Sequence, residues 1–370
     1  MLALTIILPV SVLLLAFANG ANDNAKGVAT LIGSRTMGQR PALVFAAATT
    51  LLGSLAAIFL AGVLIDRFSG NGMVGAELAG SPAFAACVAS AAAVTVLLAT
   101  RIGMPVSTTH AIVGAIVGVG LAAGDLLWGA AVTKFLIPLL ASPLLAMVLV
   151  VGVYGALRRW RLHLGLTQQT CICVDRKYVP VTVSADGVAA MTAAGVVLHR
   201  DEVATCRQAY AGRVVGVEAQ RVLDVSHVLT AGVLSFARGL NDTPKIAALL
   251  IAAGAAAPQG ALTGVGLGIV LGGLLAVRRV ARTMSNGITG MNDGQGFSAN
   301  LVTAALVLLA TLKFGVPVST THTSCGSLFG IGMVNGQAHW HVVGRILFAW
   351  AATLPVAAGL GCLAWRMLGA

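Results

Sequence analysis

The sequence is poor in charged, acidic and aromatic residues, and the shortage of charge excludes an ordinary soluble domain. Only 9% of its 370 residues are charged and 5% are aromatic, whereas 58% are hydrophobic and the mean hydropathy is +0.92. Soluble domains carry about 25% charged residues, so the natural solvent of this chain is a lipid bilayer. Basic residues number 23 against 12 acidic ones. They cluster after the first, fifth and seventh apolar stretches, which fits the positive-inside rule with the N-terminus outside rather than a nucleic-acid surface.

Ten apolar stretches are present, and most approach the roughly 20 residues that a membrane helix needs. Their continuous apolar character indicates helices rather than barrel strands. They cover about residues 2–22, 41–65, 83–100, 105–123, 128–157, 226–256, 261–277, 298–312, 317–334 and 342–367. The first could be a signal peptide, but it lacks a basic start and its polar end recurs in mid-chain, so we expect it to be retained.

One polar segment, residues 158–222, separates a first transmembrane half, residues 1–157, from a second, residues 223–370. The runs KYVPVTVSADG and GRVVGVEAQRV within it indicate short strands and turns, and therefore a small β-rich cytoplasmic insert. Cys171, Cys173 and Cys206 lie in this insert and should be reduced thiols in the cytoplasm. A Cys-x-Cys pair with a distant third cysteine could bind zinc, but no fourth ligand is obvious.

Two polar motifs occur once in each half. The run GANDNAK from Gly20 is matched by GLNDTPK from Gly239, 219 residues later. The run PVSTTH occurs unchanged after Met104 and after Val316, and glycines follow it at matching positions. Two motifs repeated in the same order indicate an internal duplication. Each half crosses the membrane an odd number of times, and this remains true if residues 83–123 and 298–334 form re-entrant hairpins. The second half therefore enters the membrane from the opposite side, which predicts an inverted repeat with a site at its centre.

The PVSTTH motif predicts a helix that begins inside the membrane. Proline suits the first helical turn and serine caps it, so helices beginning at Ser107 and Ser319 would present free N–H groups to an anion. Arg101 and Lys313, just before these starts, are expected to add positive potential. The alternative is that the hydroxyl groups only join neighbouring helices.

The Asn-Asp motif places carboxylates in apolar segments, where ionisable residues are functional by default. We expect Asp23 and Asp242 to pair with sodium, a proton or a lysine, while Asn19, Asn22 and Asn241 offer amide groups. Gly20 and Gly239 are expected to let the helix open and free carbonyl groups. Lys26 and Lys245 follow each aspartate by three residues on the same helical face, so an internal ion pair without a ligand is the alternative.

Three further polar residues, two histidines and one asparagine, are candidates for a role at the site. His110 and His322 either relay protons or hydrogen-bond a backbone carbonyl. Asn300 has no clear counterpart in the first half and is expected to reach the site.

These residues resemble the inorganic phosphate transporter (PiT) family, symporters that carry phosphate with sodium or protons. The family signature Gly-Ala-Asn-Asp-Val-Ala-Asn-Ala is matched by GANDNAKG at 20–27 and GLNDTPKI at 239–246. The resemblance covers both apolar halves but not the insert, and it implies an all-α polytopic protein of about 10–12 segments, often a homodimer. It implies that phosphate is bound by Asn22, Asn241, Thr108, Thr109, Thr320 and Thr321. Coupling cations would lie at Asp23, Asp242, Ser107 and Ser319, with no cofactor other than a sodium ion.

One departure from the family pattern bears on the coupling ion. The second asparagine of each signature is a lysine here, Lys26 and Lys245. We expect each ammonium group to occupy the position that a sodium ion would otherwise take. This favours protons over sodium as the coupling ion, because a buried Lys–Asp pair can titrate. Sulfate is the alternative substrate, although carboxylate acceptors favour the protonated phosphate. An aspartyl hydrolase with Asp23 and Asp242 as its dyad, and a channel, are the alternative functions; we predict a transporter of the cytoplasmic membrane, not an enzyme.

Overall fold

The computed structural model describes residues 2–60, 62, 65, 68, 72–183, 189–209, 216–314 and 318–368. The chain divides into two compact units. One comprises Met1–Tyr154 with His227–Ala370, and the other is Gly155–Ser226. The first unit is helical and contains both repeated motifs, whereas the second contains the strands.

Ten long helices are present among the described residues, one in each apolar stretch. They are α1 Leu2–Asp23, α2 Gln39–Leu60, α3 Pro82–Arg101, α4 Thr108–Ala123, α5 Ile137–His163, α6 Ala219–Ala252, α7 Pro258–Leu275, α8 Asp293–Leu308, α9 Thr320–Asn335 and α10 Trp340–Met367. Shorter helical segments are Asn24–Gly27, Ala29–Gly33, Ala76–Ala79, Trp128–Ala130, Ala131–Leu136, Val203–Ala209, Arg278–Arg282, Thr283–Gly287 and Leu309–Phe314. Of the segments that the structure describes, seven are long and apolar enough to cross a membrane, and α4 is a shorter apolar helix. The predicted all-α polytopic class is therefore confirmed.

The two sets of five helices follow the same order and have matching local features. Both α4 and α9 begin directly after a serine and end at a glycine with a positive φ, Gly124 at 72° and Gly336 at 70°. Antiparallel bridges join Val74 to Leu126 in the first set and Thr289 to Ala338 in the second. The helical conformation is interrupted between α3 and α4, at residues 102–107, as the motif predicts. The matching interruption before α9 includes residues 315–317, which lie outside the described residues.

Glycines bring helices of the two sets into close contact, which corrects one expectation. A side chain on Gly20 of α1 would clash with the Ile269 carbonyl of α7, and one on Gly239 of α6 would clash with the Thr50 carbonyl of α2. Both helices remain continuous through these glycines. The prediction that Gly20 and Gly239 open the helix was therefore wrong: they permit close backbone packing, as small residues commonly do between membrane helices.

The second unit contains a three-stranded antiparallel sheet in the order β2-β1-β3. Its strands are β1 Thr170–Val183, β2 Ala189–Glu202 and β3 Gly216–Glu218. The short helix Val203–Ala209 follows β2. The predicted small β-rich segment is thereby confirmed, with its central strand beginning seven residues before the run KYVPVTVSADG. Residues 184–188 and 210–215, which include parts of both predicted strand runs, lie outside the described residues.

Candidate functional site

Serine caps begin both half-helices inside the apolar unit. Ser107 accepts a hydrogen bond from the backbone N–H of His110 at 3.2 Å, and Ser319 accepts one from His322 at 3.1 Å. Capping leaves other N–H groups of the first turn free, and the positive end of the helix dipole favours an anion there. The threonines that follow are buried, with at most 5% of each residue exposed: Thr108, Thr109, Thr320 and Thr321.

Asn22 and Asn241 each hold the segment that leads into the half-helix of their own repeat. The Asn22 amide donates to Thr100 and to the Met104 carbonyl, and its oxygen accepts from the Val106 N–H. The Asn241 amide donates to Asp242 at 2.9 Å and to the Val318 carbonyl at 3.5 Å. Both asparagines are fully buried. They therefore position the predicted anion-binding turns through side-chain contacts.

Each aspartate forms an ion pair with the lysine three residues later. Lys26 contacts Asp23 directly, and Lys245 Nζ lies 3.5 Å from the Asp242 carboxylate. Asn19 donates to Asp23 at 3.1 Å, while Thr320 donates to Asp242 at 3.4 Å. A lysine was one of the three partners that the sequence led us to expect for each aspartate, and the structure forms both Asp–Lys pairs.

The lysines also join the two repeats. Lys26, from the first repeat, donates to the Thr321 hydroxyl of the second, and Lys245 donates to the Thr109 hydroxyl of the first at 3.2 Å. Each ammonium group also donates to a backbone carbonyl just before its own repeat's half-helix, Val106 at 3.0 Å and Val318 at 2.9 Å. The two polar clusters therefore form one buried site, whose contacts are reciprocal.

The two histidines meet at this site. The ring centroids of His110 and His322 lie 4.4 Å apart, and His322 also lies 3.9 Å from the ring of Trp350. His322 Nδ1 donates to the Leu139 carbonyl at 3.2 Å, which matches the backbone-bonded alternative for this residue. His110 Nδ1 has no hydrogen-bond partner. The two equivalent histidines thus have different surroundings.

Asn300 reaches the edge of the site from α8. Its amide donates to the Gly27 carbonyl at 3.3 Å, directly after Lys26. The same side chain lines a small cavity together with Lys26, Thr30, Thr303 and Ser324. Asn300, which has no counterpart in the first repeat, therefore lies beside Lys26.

A buried arginine belongs to this region and was missed in the sequence. Arg238 is 1% exposed, and its Nη2 donates to Thr50 at 2.6 Å and to Asn24 at 3.3 Å. Its Nε and Nη1 atoms have no partner. The signal was available, because Arg238 lies in an apolar helix one turn before Asp242, at the position that Asn19 occupies in the first repeat.

Arg101 and Lys313 lie outside the buried site to which they were expected to add positive potential. Both residues are exposed at helix ends rather than buried beside the half-helices. Arg101 lines an open cleft of about 700 Å³ that also includes Arg278, Arg279 and Thr100. The expectation failed because a helix end that emerges from the apolar unit can place a long cationic side chain in solvent.

The buried charges leave the site with an excess of one positive charge. Among the described residues, the buried Asp, Lys and Arg side chains are Asp23, Lys26, Arg238, Asp242 and Lys245. With all five ionised, three cations face two carboxylates. Buried charge is costly unless it is compensated, so this set of residues favours an anion as the missing partner.

Unsatisfied polar atoms concentrate in the same elements. Among the described residues, the buried side-chain atoms without a hydrogen-bond partner are Asn19 Oδ1, His110 Nδ1, Ser235 Oγ, Arg238 Nε and Nη1, His322 Nε2 and Ser324 Oγ. All lie on the helices that carry the two duplicated motifs: α1, α4, α6 and α9. Native interiors leave few such atoms unpaired. Their number here indicates a site built to receive a further polar group.

These features define a polytopic membrane protein with a buried polar site assembled from two copies of one motif pair. A model of the phosphate transporter family matches residues 19–361. The chain therefore belongs to the phosphate transporter family, as its motifs predicted.

Individual relatives agree with this assignment. A probable low-affinity inorganic phosphate transporter of Mycobacterium leprae is 26% identical over 98% of this chain and 78% of its own length. An inorganic phosphate transporter of the Arabidopsis thaliana chloroplast is 29% identical over 94% of this chain and 69% of its own. A solved structure of a sodium-dependent phosphate transporter matches with a TM-score of 0.78 at 22% identity, covering 99% of both chains, and shows the same fold. The family and its relatives are transporters, which confirms the prediction that the protein is not an enzyme.

Proposed function

We propose that the protein carries inorganic phosphate across the cytoplasmic membrane together with protons, by alternating access. The observation that carries this proposal is the reciprocal contact between the repeats. Lys26 reaches Thr321 and Lys245 reaches Thr109, so each ammonium group lies at the predicted anion-binding turn of the other repeat. A substrate bound between the turns would contact both repeats at once, as transport between two repeats requires.

Phosphate would bind where the half-helices α4 and α9 begin. Their first turns offer free backbone N–H groups and four threonine hydroxyl groups, and helix N-termini are ready anion sites. The excess positive charge of the buried residues adds attraction. Asp23 and Asp242 can accept a hydrogen bond from a protonated phosphate, which sulfate does not offer at neutral pH. These acceptors support phosphate over sulfate as the substrate.

The position of the lysines supports protons over sodium. A hard cation such as sodium is bound by oxygen ligands, typically carboxylates and backbone carbonyls. Here Lys26 Nζ contacts Asp23 and the Val106 carbonyl, and Lys245 Nζ contacts the Val318 carbonyl near Asp242. Each ammonium group therefore uses the oxygen atoms that a sodium ion at this position would need. The structurally similar sodium-dependent transporter makes sodium the competing ion.

Alternating access is supported by the burial of the site and by the repeat geometry. The threonine, aspartate and lysine residues of the site are at most 5% exposed, so phosphate needs a conformational change to reach them. Five long helices in each repeat reverse the direction of the second repeat in the membrane, with the N-terminus outside and the insert in the cytoplasm. Breaking the Lys–Thr contacts between the repeats would open one side. A homodimer is the assembly that the resemblance implies.

Uptake of radiolabelled phosphate into proteoliposomes tests the proposal. We expect an inward proton gradient to drive accumulation without sodium, and excess sulfate to compete poorly. Accumulation that requires sodium and ignores the proton gradient would overturn the coupling. Equilibration without accumulation would indicate a channel, and equal uptake of sulfate would remove the preference for phosphate.

A further inference from the structure

Three cysteines converge in the sheet unit. Cys171 and Cys173 are two residues apart on β1 and therefore project from the same face of the sheet. Cys206 comes from the short helix after β2, and its Sγ lies 2.8 Å from Cys171 Sγ and 3.2 Å from Cys173 Sγ. All three sulfur atoms lie within 4.8 Å of one another and all three residues are buried.

A glycine on the neighbouring strand leaves space for these thiol groups. Gly216 of β3 pairs with Cys173 of β1, so any side chain at this position would point to the same face as the thiol groups. A Cβ atom at Gly216 would lie 2.1 Å from Cys206 Sγ and 2.7 Å from Cys171 Sγ. The local backbone is therefore adapted to three sulfur atoms around one point.

Among the side chains that the structure describes in the sheet unit, the one buried apolar cluster consists of Cys171, Cys173 and Cys206, with Val203 packed against it. A segment of this size, Gly155–Ser226, rarely stabilises itself by a hydrophobic core alone and commonly uses disulfides or a metal ion. A disulfide would use two of the three thiols and leave one unexplained, whereas a metal ion would use all three.

We propose that Cys171, Cys173 and Cys206 bind one zinc ion through their sulfur atoms. Sulfur-only donor sets select zinc and other thiophilic ions. A Zn–S distance of about 2.3 Å places sulfur atoms about 3.8 Å apart in a tetrahedral site, so the cluster needs to widen by only about 1 Å. Metal binding of this kind would stabilise the fold of the insert.

His199 is the residue that would complete the coordination once its side chain turns toward the three sulfur atoms. It pairs with Cys173 across β1 and β2, so its exposed imidazole lies on the face that carries the thiols. Asp201 pairs with Cys171 on the same face. Three thiolates and one imidazole form a common structural zinc set. The fourth ligand was not evident in the sequence because 26 residues separate His199 from Cys173, and only the strand register brings them together.

Metal analysis of the purified full-length protein in detergent, under reducing conditions, tests the site. After dialysis we expect about one zinc ion per chain in the wild type, as for a structural site, and a loss of most of it in Cys171→Ser and Cys206→Ser. Cys87→Ser, which changes a buried cysteine of α3, is the matched control and should keep its zinc. Zinc at the same level in a variant lacking all three cysteines, or none in the wild type, would overturn the proposal.

Three further measurements keep the test independent of misfolding. Cobalt added to the zinc-free wild type should produce sulfur-to-cobalt charge-transfer absorption, and Gly216→Ala should weaken or abolish it. Mass spectrometry after thiol alkylation should count six alkylated cysteines once the metal is removed without reductant; a protein with two fewer alkyl groups would indicate a disulfide and contradict the zinc site. His199→Ala should lower zinc affinity without abolishing binding, and an unchanged affinity would exclude His199 as the fourth ligand.

Discussion

The polar clusters of the two repeats contain the same residue types but differ in how tightly the charges are held. In the first repeat α1 ends at Asp23, and the short helical turn Asn24–Gly27 carries Lys26 into direct contact with it. In the second, α6 continues past Asp242, and Lys245 stays 3.5 Å away. Asp23 is 1% exposed and Asp242 5%. A duplicated motif therefore yields two unequal ion pairs, and we expect the second pair to separate first during transport.

Removing a carboxylate should have the largest effect. Asp23→Asn leaves Lys26 buried without its counter-charge, which costs about 3–5 kcal/mol of stability, and it should abolish phosphate accumulation in proteoliposomes. Asp242→Asn should also abolish accumulation but cost less stability, because its pair is longer and more exposed. Thermal unfolding in detergent compares the two.

Glu77→Gln is the matched control, since Glu77 is exposed and its charge lies outside the site. Full transport by either aspartate variant would remove the coupling role from that residue. Equal loss of stability would show that the difference between the two pairs has no energetic consequence.

Loss of a contact between the repeats should have the next largest effect. Thr321 accepts from Lys26 and donates to the Val106 carbonyl at 2.8 Å, whereas Thr109 accepts one bond from Lys245 at 3.2 Å. A hydrogen bond to a charged group contributes about 1.5–3 kcal/mol, and every 1.4 kcal/mol is about tenfold in an equilibrium. We expect Thr321→Ala to reduce the initial uptake rate by about tenfold or more, and Thr109→Ala by less.

Thr95→Ala serves as the control for these threonines. Thr95 is buried in α3 and donates to the Ala91 carbonyl of its own helix. Its replacement should leave uptake nearly unchanged. A larger loss for Thr109→Ala than for Thr321→Ala would reverse the proposed order of the two repeats.

Arg238 and Asn19 occupy equivalent positions in the two repeats, so replacing each residue tests whether the repeats contribute unequally to phosphate binding. Arg238→Gln removes the excess positive charge, so we expect the KM for phosphate to rise by about tenfold, equivalent to about 1.4 kcal/mol. Asn19→Ala removes a donor to Asp23 without changing the charge, and should raise KM less. Arg40→Gln, at an exposed arginine, is the control. An unchanged KM in Arg238→Gln would assign that residue a structural role.

Removal of a helix cap should have the smallest effect, and the effect should be equal in the two repeats. Ser107 and Ser319 accept equivalent hydrogen bonds of 3.2 and 3.1 Å. Loss of a serine cap costs about 1 kcal/mol, so Ser107→Ala and Ser319→Ala should lower the unfolding temperature by similar small amounts. Ser107→Thr should restore most of the loss. A clear difference between the two alanine variants would show that one half-helix depends more on its cap.

Local patterns predicted the elements and the contacts within each motif. The serine caps followed from Pro-Val-Ser-Thr-Thr-His, and the Asp–Lys pairs followed from helical spacing, because both depend on residues at most four positions apart. Apart from Arg101 and Lys313, which lie at exposed helix ends, the features that the sequence misjudged concerned distant neighbours. Gly20 and Gly239 were expected to open their helices, but Ile269 and Thr50 on other helices explain them as packing contacts. Arg238 was missed because its partners, Asn24 and Thr50, lie 214 and 188 residues away.

By itself, the sequence determined the membrane environment, the duplication and the types of polar group that the site contains, because composition and repeated motifs are properties of the chain alone. Only the tertiary structure decided that Lys26 contacts Thr321 and that Lys245 contacts Thr109. Those contacts depend on how ten helices pack, and helix packing is set by the close fit of backbones at positions such as Gly20 and Gly239. The inequality of the two ion pairs arises in the same way, from where each helix ends.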